Sequence, residues 1–353
     1  MSGFLLNPYA HGGAGLYTFT NATFTPGGQT GRTGPSLSQS ISGLTGTGVD
    51  TWKNNTSYFN NDGAGVQKWT VPSTGVYRFD IVGASGGWDT SKSKTCSRIG
   101  LGGRYQFDIV LTEGTQLNIV VGQRGQDLSS SSYLAGGGGG GTFVFTGTRG
   151  GSGLIAVAGG GGGAGATGTY NPANGGAASA DGCHGNFYGT SGSNGLCDGS
   201  YDGNPGAGGI NGAGGQCGGS GWNNYENTGG GSGWLSDGQP NPEISTNKSV
   251  EIRGTGFLGG NINSGGSGAQ GGFGGGGATS QSNSGSYAGG GGGGGYSGGG
   301  GGGWNSSAGN ACVTNSAASG GGGGGYISPS ATNVTSTAGY REGDGYVSVT
   351  KLS

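Results

Sequence analysis

The string in this sequence with the spacing of a metal site is Asp198-Gly199-Ser200-Tyr201-Asp202-Gly203. Oxygen ligands at positions 1, 3 and 5 with glycine at 6 match the first half of a calcium loop. Position 12 would be Gly209, where a bidentate Glu belongs, and no flanking helices are evident. The same string also works as a turn with no metal. The expectation is therefore no cofactor, with calcium on Asp198, Ser200 and Asp202 as the one candidate. Nucleophilic chemistry fares worse. The chain has 2 His, His11 and His184. Cys183 and His184 are adjacent, and neighbours on a strand point to opposite faces, so adjacency does not build a nucleophile–base pair. Gly-x-Gly-x-x-Gly strings abound, but 100 glycines generate them by chance, and none opens a helix after a strand. The five cysteines (Cys96, Cys183, Cys197, Cys217, Cys312) contain no Cys-x-x-Cys, against a structural zinc site. Their odd number leaves a Cys183–Cys197 bond and reduced thiols both open. The 16 acidic residues show no convincing pair of the kind glycan cleavage needs. The residues point away from an enzyme.

They point instead to recognition. Three polar stretches, Trp88–Arg98, Tyr170–Gly203 and Trp222–Lys248, gather Trp, Tyr, Asn and Asp. Amphipathic aromatics among Asn and Ser are what protein- and sugar-binding surfaces use. Trp88, Tyr188, Tyr201, Trp222, Tyr225 and Trp234 are the candidate recognition residues; the competing reading is that these stretches only cap and order the surface. A net charge of −2 with scattered Lys and Arg gives no footprint for nucleic acid. No apolar run approaches the ~20 residues of a membrane span. Residues 1–13 read as a short arm without the basic n-region of a signal peptide, so synthesis and folding in a cytoplasm are expected.

The elements that would hold such loops follow from the composition. Glycine supplies 100 of 353 residues. It comes in runs such as Gly136–Gly141 and Gly320–Gly325 with only 9 Pro, which excludes collagen. Six Trp, 15 Tyr and 11 Phe with 8% charged residues speak against a disordered linker. Tyr77, Phe79 and Ile81 alternate with Val76, Arg78 and Asp80, the period of a half-buried strand. Tyr105, Phe107, Ile109 and Leu111 repeat it, and after Thr112-Glu113-Gly114-Thr115 so do Leu117, Ile119 and Val121, which predicts a hairpin. Val66–Val71, Thr142–Phe145 and Leu154–Val157 add short strands, and Leu37–Leu44 could form one helical turn. Many short strands separated by turns favour a sandwich or barrel.

From 159 to 343 aliphatic residues nearly vanish. Ordering a residue costs ~1–2 kcal/mol, most of all for glycine, and little apolar surface is left to offset it. The physical way out is the extended three-fold helix of polyproline II geometry, which makes no internal hydrogen bonds. Without Cβ atoms such helices can pack at backbone distance, each N–H and C=O bonding to a neighbour at ~0.5–1.5 kcal/mol net. Phe257, Phe273, Tyr287, Tyr296, Trp304 and Tyr326 punctuate the runs and are expected to cap bundle ends or pack on the sandwich. A closing strand within 345–352 must pair with the sheet before 158, so the glycine region is inserted between strands of one sandwich. The expected organisation is an arm (1–13), an all-β sandwich (14–158 plus 344–353) and a polyglycine II helix bundle (159–343).

Several stretches support a resemblance. They are Phe19-Thr20-Asn21, Gly31-Arg32-Thr33-Gly34-Pro35-Ser36-Leu37-Ser38-Gln39 and Gly65 through Phe79 with its Trp-Thr-Val-Pro. Gly136–Gly141 before Thr142-Phe143, Leu154-Ile155-Ala156-Val157-Ala158-Gly159 and the closing Gly-Asp-Gly-Tyr-Val-Ser-Val complete the set. Over about residues 14–353 this order resembles the glycine-rich extracellular domain of the anaplastic lymphoma kinase and leukocyte tyrosine kinase receptors. The resemblance implies a tumour-necrosis-factor-like jelly-roll sandwich with an inserted bundle of polyglycine II helices. Receptor signalling does not carry over, since no kinase domain, membrane helix or signal peptide is present in the sequence.

The chain is also similar to virion components of tailed bacteriophages, including tail-fibre adhesins whose polyglycine bundle presents variable loops. Its Ser-Gly-Phe-Leu-Leu-Asn-Pro-Tyr start is similar to those of structural proteins of marine phages. The function expected is a virion protein, made in the host cytoplasm and tail-associated, that attaches to a host-surface receptor, protein or glycan. Its arm would join other virion proteins, without nucleic acid or membrane insertion, and a homo-oligomer such as a trimer is compatible. The alternatives are a capsid or tail decoration protein, or a ligand-binding module of a receptor.

Overall fold

A computed structural model describes residues 15–88, 99–128, 135–165, 206–219, 226–240, 252–262, 268–279, 289–303 and 319–353. The described residues are mostly strands in two antiparallel sheets. The first sheet has the order β1-β13-β4-β5-β12. It comprises β1 (Asn21–Phe24), β4 (Gly75–Val82), β5 (Gly102–Leu111), β12 (Thr332–Arg341) and β13 (Tyr346–Lys351). The second has the order β11-β8-β7-β6-β3-β2. Its strands are β2 (Phe59–Asn61), β3 (Gln67–Thr70), β6 (Gln116–Val120), β7 (Thr142–Phe145), β8 (Leu154–Ala158) and β11 (Tyr326–Ile327). A short ribbon pairs β9 (Gly218–Gly219) with β10 (Glu226–Thr228).

The alternation works as expected. Tyr77, Phe79 and Ile81 are fully buried, while Arg78 and Asp80 between them face outward. Between the sheets lies an aromatic core. Trp69 has its ring centroid 5.2 Å from Phe19 and 6.0 Å from both Phe24 and Tyr77, and Phe79 stacks on Phe107 at 5.4 Å. The one α-helix described, α1 (Leu37–Gly43), is capped at Ser36. The Gln39 N–H donates to the Ser36 hydroxyl, and the Ser36 N–H donates to the Gln39 side-chain oxygen at 2.9 Å. This reciprocal cap follows from the Ser-x-x-Gln spacing.

Three expectations need correction. Strands β5 and β6 do not form a hairpin. β5 pairs with β4 and β12, and β6 with β3 and β7, so the Thr112–Thr115 turn carries the chain from one sheet to the other. Side-chain alternation marks a strand but says nothing about its partner, and a sandwich corner has the same pattern as a hairpin. The glycine region does not extend to 343, because β11 and β12 return to the two sheets before that point. β12 escaped notice because it is an edge strand exposed on both faces, with Thr, Ser and Asn where a half-buried strand would alternate. Conversely, glycine packing begins before 159, in residues 83–88, 99–103, 122–128 and 135–141. The final strand does close the sandwich, as β13 between β1 and β4.

The outer face of the six-stranded sheet is covered by aromatics from the glycine-rich turns. Phe143 lies 5.1 Å from Phe257, Phe145 lies 5.1 Å from Trp234, and Phe273 is fully buried beside them. Below these turns the backbone forms a lattice. Within 135–141, the N–H groups of Gly136 and Gly139 donate to Ala164 and Gly161. Those of Gly137 and Gly140 donate to Gln126 and Gln123, and those of Gly138 and Gly141 to Gly277 and Gly274. The carbonyls of the same segment accept from Gly291 and Gly294, from Gly87 and Ala84, and from Gly272. Residues three apart thus address the same neighbour, and one segment bonds to six others. Residues 289–295 repeat this pattern with 135–141, 229–232 and 320–324 as acceptors, and with 159–165, 277 and 298–303 as donors.

Candidate functional site

Hydrogen-bond registers give the lattice a direction. Residues 83–88, 122–128 and 159–165 run on from β4, β6 and β8 and lead away from the sandwich. Residues 99–103, 135–141 and 319–325 lead into β5, β7 and β11. The other segments alternate between these directions, as 289–295 (parallel to 135–141) and 298–303 (antiparallel to 289–295) do. The turns at 210–213, 233–236, 255–258, 273–275 and 296–297 lie at the sandwich end. The ends of these segments that point away from the sandwich form a remote end, where the Leu128 N–H donates to the Trp88 carbonyl. The opposite pole carries the described N-terminal residues and the C-terminus. The Leu16 N–H donates to the Pro72 carbonyl at 2.7 Å, and the Val76 N–H to that of Ser353 at 3.2 Å.

Two of the predicted recognition residues can be placed. Trp88 is half-buried at the remote end, where its N–H donates to Asp127 Oδ1 at 3.0 Å and its carbonyl accepts from Leu128 at 2.9 Å. Trp234 is not a surface residue. It is 3% exposed under the six-stranded sheet, and its indole N–H donates to the Gly151 carbonyl at 3.3 Å. Tyr188, Tyr201, Trp222 and Tyr225, the calcium candidates Asp198, Ser200 and Asp202, and the arm 1–13 lie outside the described residues. Phe257, Phe273, Tyr296 and Tyr326 pack on the sandwich as expected; Tyr287 and Trp304 lie outside the described residues.

Sequence reasoning missed a polar cleft of about 630 Å³ on the outer face of the five-stranded sheet. Thr23 of β1, Asp80 of β4, and Tyr346 and Ser348 of β13 form its floor, and Arg341, Asp344 and the Pro26-Gly27-Gly28 turn its walls. Antiparallel register sets Ser348 between Thr23 and Asp80. Asp80 accepts from Arg104 at 2.7 and 2.8 Å and from the Tyr346 hydroxyl at 3.2 Å. That bidentate bond raises the Arg104 pKa, and burial together with the Asp80 carboxylate raises that of Tyr346. Arg104 also lies over the Tyr340 ring at 4.6 Å, and Arg341 over the Tyr346 ring at 5.4 Å. Burial pushes the Asp344 carboxyl up, against the Arg124 N–H that donates to it at 2.8 Å. With both Asp80 oxygens held by a guanidinium, the cleft offers fixed hydrogen-bonding groups rather than a proton-transfer pair.

Along the same face Asp108 is buried under Arg78, which donates to it at 2.7 and 2.8 Å, and under the Asn333 amide at 2.8 Å. Arg78 and Asn333 hold its carboxyl below the usual range. A depressed folded-state pKa stabilises the fold above the unfolded value of ~3.9, and that stabilisation is lost as pH falls through the folded pKa. Asp108→Asn is therefore expected to be less stable than wild type at neutral pH and to converge with it in acid. Urea midpoints across that range test this, and a difference that stays constant into acid would exclude the ion pair as its source.

Among the described residues no cluster of His, Cys, Asp and Glu could hold a metal ion, and no helix is long and apolar enough to cross a membrane. No protein-family model matches the chain, and no curated protein is significantly similar to it.

Proposed function

We propose that this protein is a virion structural component of a tailed phage, tail-associated, built as a rigid support that presents loops for attachment to a host surface. The observation that carries the reading is its polarity: the glycine lattice extends from one end of the sandwich, and both described ends of the chain lie at the other. On this reading the arm 1–13 joins other virion proteins, and the polar loops with Tyr188, Tyr201, Trp222 and Tyr225 meet the receptor. The segments are polyglycine II helices, supported by hydrogen-bond partners that recur every three residues, the repeat of a helix with 3 residues per turn. The sandwich is a jelly roll, in keeping with its two antiparallel sheets and the sheet-to-sheet crossing at Thr112–Thr115. No catalytic role is proposed, since the carboxylates Asp80 and Asp108 are engaged by arginines.

Purified protein, or antibody against its remote pole, is expected to block adsorption of the phage to its host. Protein found over the whole capsid, with adsorption unchanged by either reagent, would replace attachment by decoration.

A further inference from the structure

We propose that the cleft over β1 and β13 is a saccharide-binding site. It is separate from the remote pole and does not depend on the attachment reading. Its ~630 Å³ lies within the 300–1,000 Å³ typical of small-ligand sites.

The groups left uncommitted in the cleft set the chemistry. Asp344 takes the Arg124 N–H on Oδ1, and among the described residues no donor reaches its other oxygen. Arg341 directs Nε to the Glu342 carbonyl at 3.4 Å, and no acceptor among the described residues engages its two terminal nitrogens. The Thr23 and Ser348 hydroxyls lie 3.2 Å apart, each able both to donate and to accept. Beside them Asp80 is locked by Arg104 and accepts from the Tyr346 hydroxyl, over whose ring Arg341 lies.

A free anion would meet the Asp344 carboxylate, and a free cation would meet the Arg341 guanidinium. A neutral polyol suits both, because adjacent hydroxyls donate to a carboxylate and accept from a guanidinium. The wall at Pro26-Gly27-Gly28 is a turn open to solvent at Gly28. Gly28 has φ +83°, and a Cβ built there would meet nothing within 4 Å.

Saturation-transfer NMR and calorimetry of the whole protein with glucose, galactose, mannose and N-acetylglucosamine test the site. At least one sugar is expected to bind in the millimolar range. Asp344→Asn, which keeps an acceptor for the Arg124 N–H, and Arg341→Ala should each weaken binding about tenfold or more. Lys68→Ala, on the other sheet, should leave it unchanged. Binding of none of the sugars, wild-type affinity in both cleft variants, or equal competition by inorganic sulfate would each overturn the proposal. Because the assay uses free sugar and isolated protein, it can fail while adsorption is still blocked, and the reverse.

Discussion

Gly293→Ala is expected to destabilise the protein by at least about 3 kcal/mol, the upper range for overpacking a closely packed interior. Gly293 sits within 289–295, with its N–H on the Gly321 carbonyl and its own carbonyl accepting from Gly299, both at 2.8 Å. A Cβ there would lie 2.2 Å from the Gly160 oxygen, 2.8 Å from the Gly160 carbonyl carbon and 2.9 Å from the Gly323 nitrogen. All three are backbone atoms, which cannot rotate away as a side chain can. Making room means moving two segments and loosening the bonds from Gly160 to Gly294 and from Gly323 to Gly160. In most settings replacing glycine by alanine stabilises by ~0.4–1 kcal/mol through the unfolded state. The lattice reverses that sign. Gly114→Ala is the comparison, because Gly114 has φ +77° and open space around it, so the cost is only the ~1–2 kcal/mol of a left-handed residue. Chemical denaturation of both variants decides the matter, and equal losses would mean that backbone contact is not what excludes the methyl group.

Trp69→Ala is expected to cost ~3–5 kcal/mol, the usual range for truncating a buried large aromatic. Trp69 is fully buried, paired with Phe59 on one side and Leu117 on the other, and ringed by Phe19, Phe24 and Tyr77. The cavity opens between two sheets pinned together by the Thr112–Thr115 crossing, which limits collapse. Against a typical total of ~5–15 kcal/mol this would bring the fold near its limit. A urea midpoint within error of wild type would show that the sandwich core does not set the stability of the chain.

The parts of this fold that were legible are those where side chains alternate. β4, β5, β7, β8 and β13 bury one set of residues and expose or cover the other, and Tyr77, Phe79, Ile81, Val347 and Val349 announce this directly. Partners were less legible. Nothing in Leu117 and Ile119 says that they pair with Trp69 and Gln67 of β3 rather than with β5. The order of the glycine runs could be inferred from composition, but a residue without a side chain cannot name its neighbour, so the contact of 135–141 with 289–295 is written nowhere locally. Trp234 looked like a surface aromatic because its neighbours are polar, yet its position at a sandwich-end turn places it against Phe145. The cleft was invisible for a related reason: Thr23, Asp80, Asp344 and Ser348 converge only through strand order.

The segment 289–295, which like 135–141 bonds to six others, bears on the timing of assembly. Most of its partners (135–141, 159–165, 229–232 and residue 277) are synthesised before it, while 298–303 and 320–324 come after. Those earlier segments have little apolar surface with which to collapse, and the groups that bond to 289–295 stay unpaired until it arrives. β13 adds a second wait, since β1 and β4 gain their shared partner only when residues 346–351 have been made. Folding of this kind, dominated by pairings between distant parts of the chain, is intrinsically slow. During synthesis 83–88, 122–128, 135–141 and 159–165 can therefore bond to one another first, while their bonds to 289–295 and those of the later segments are added last.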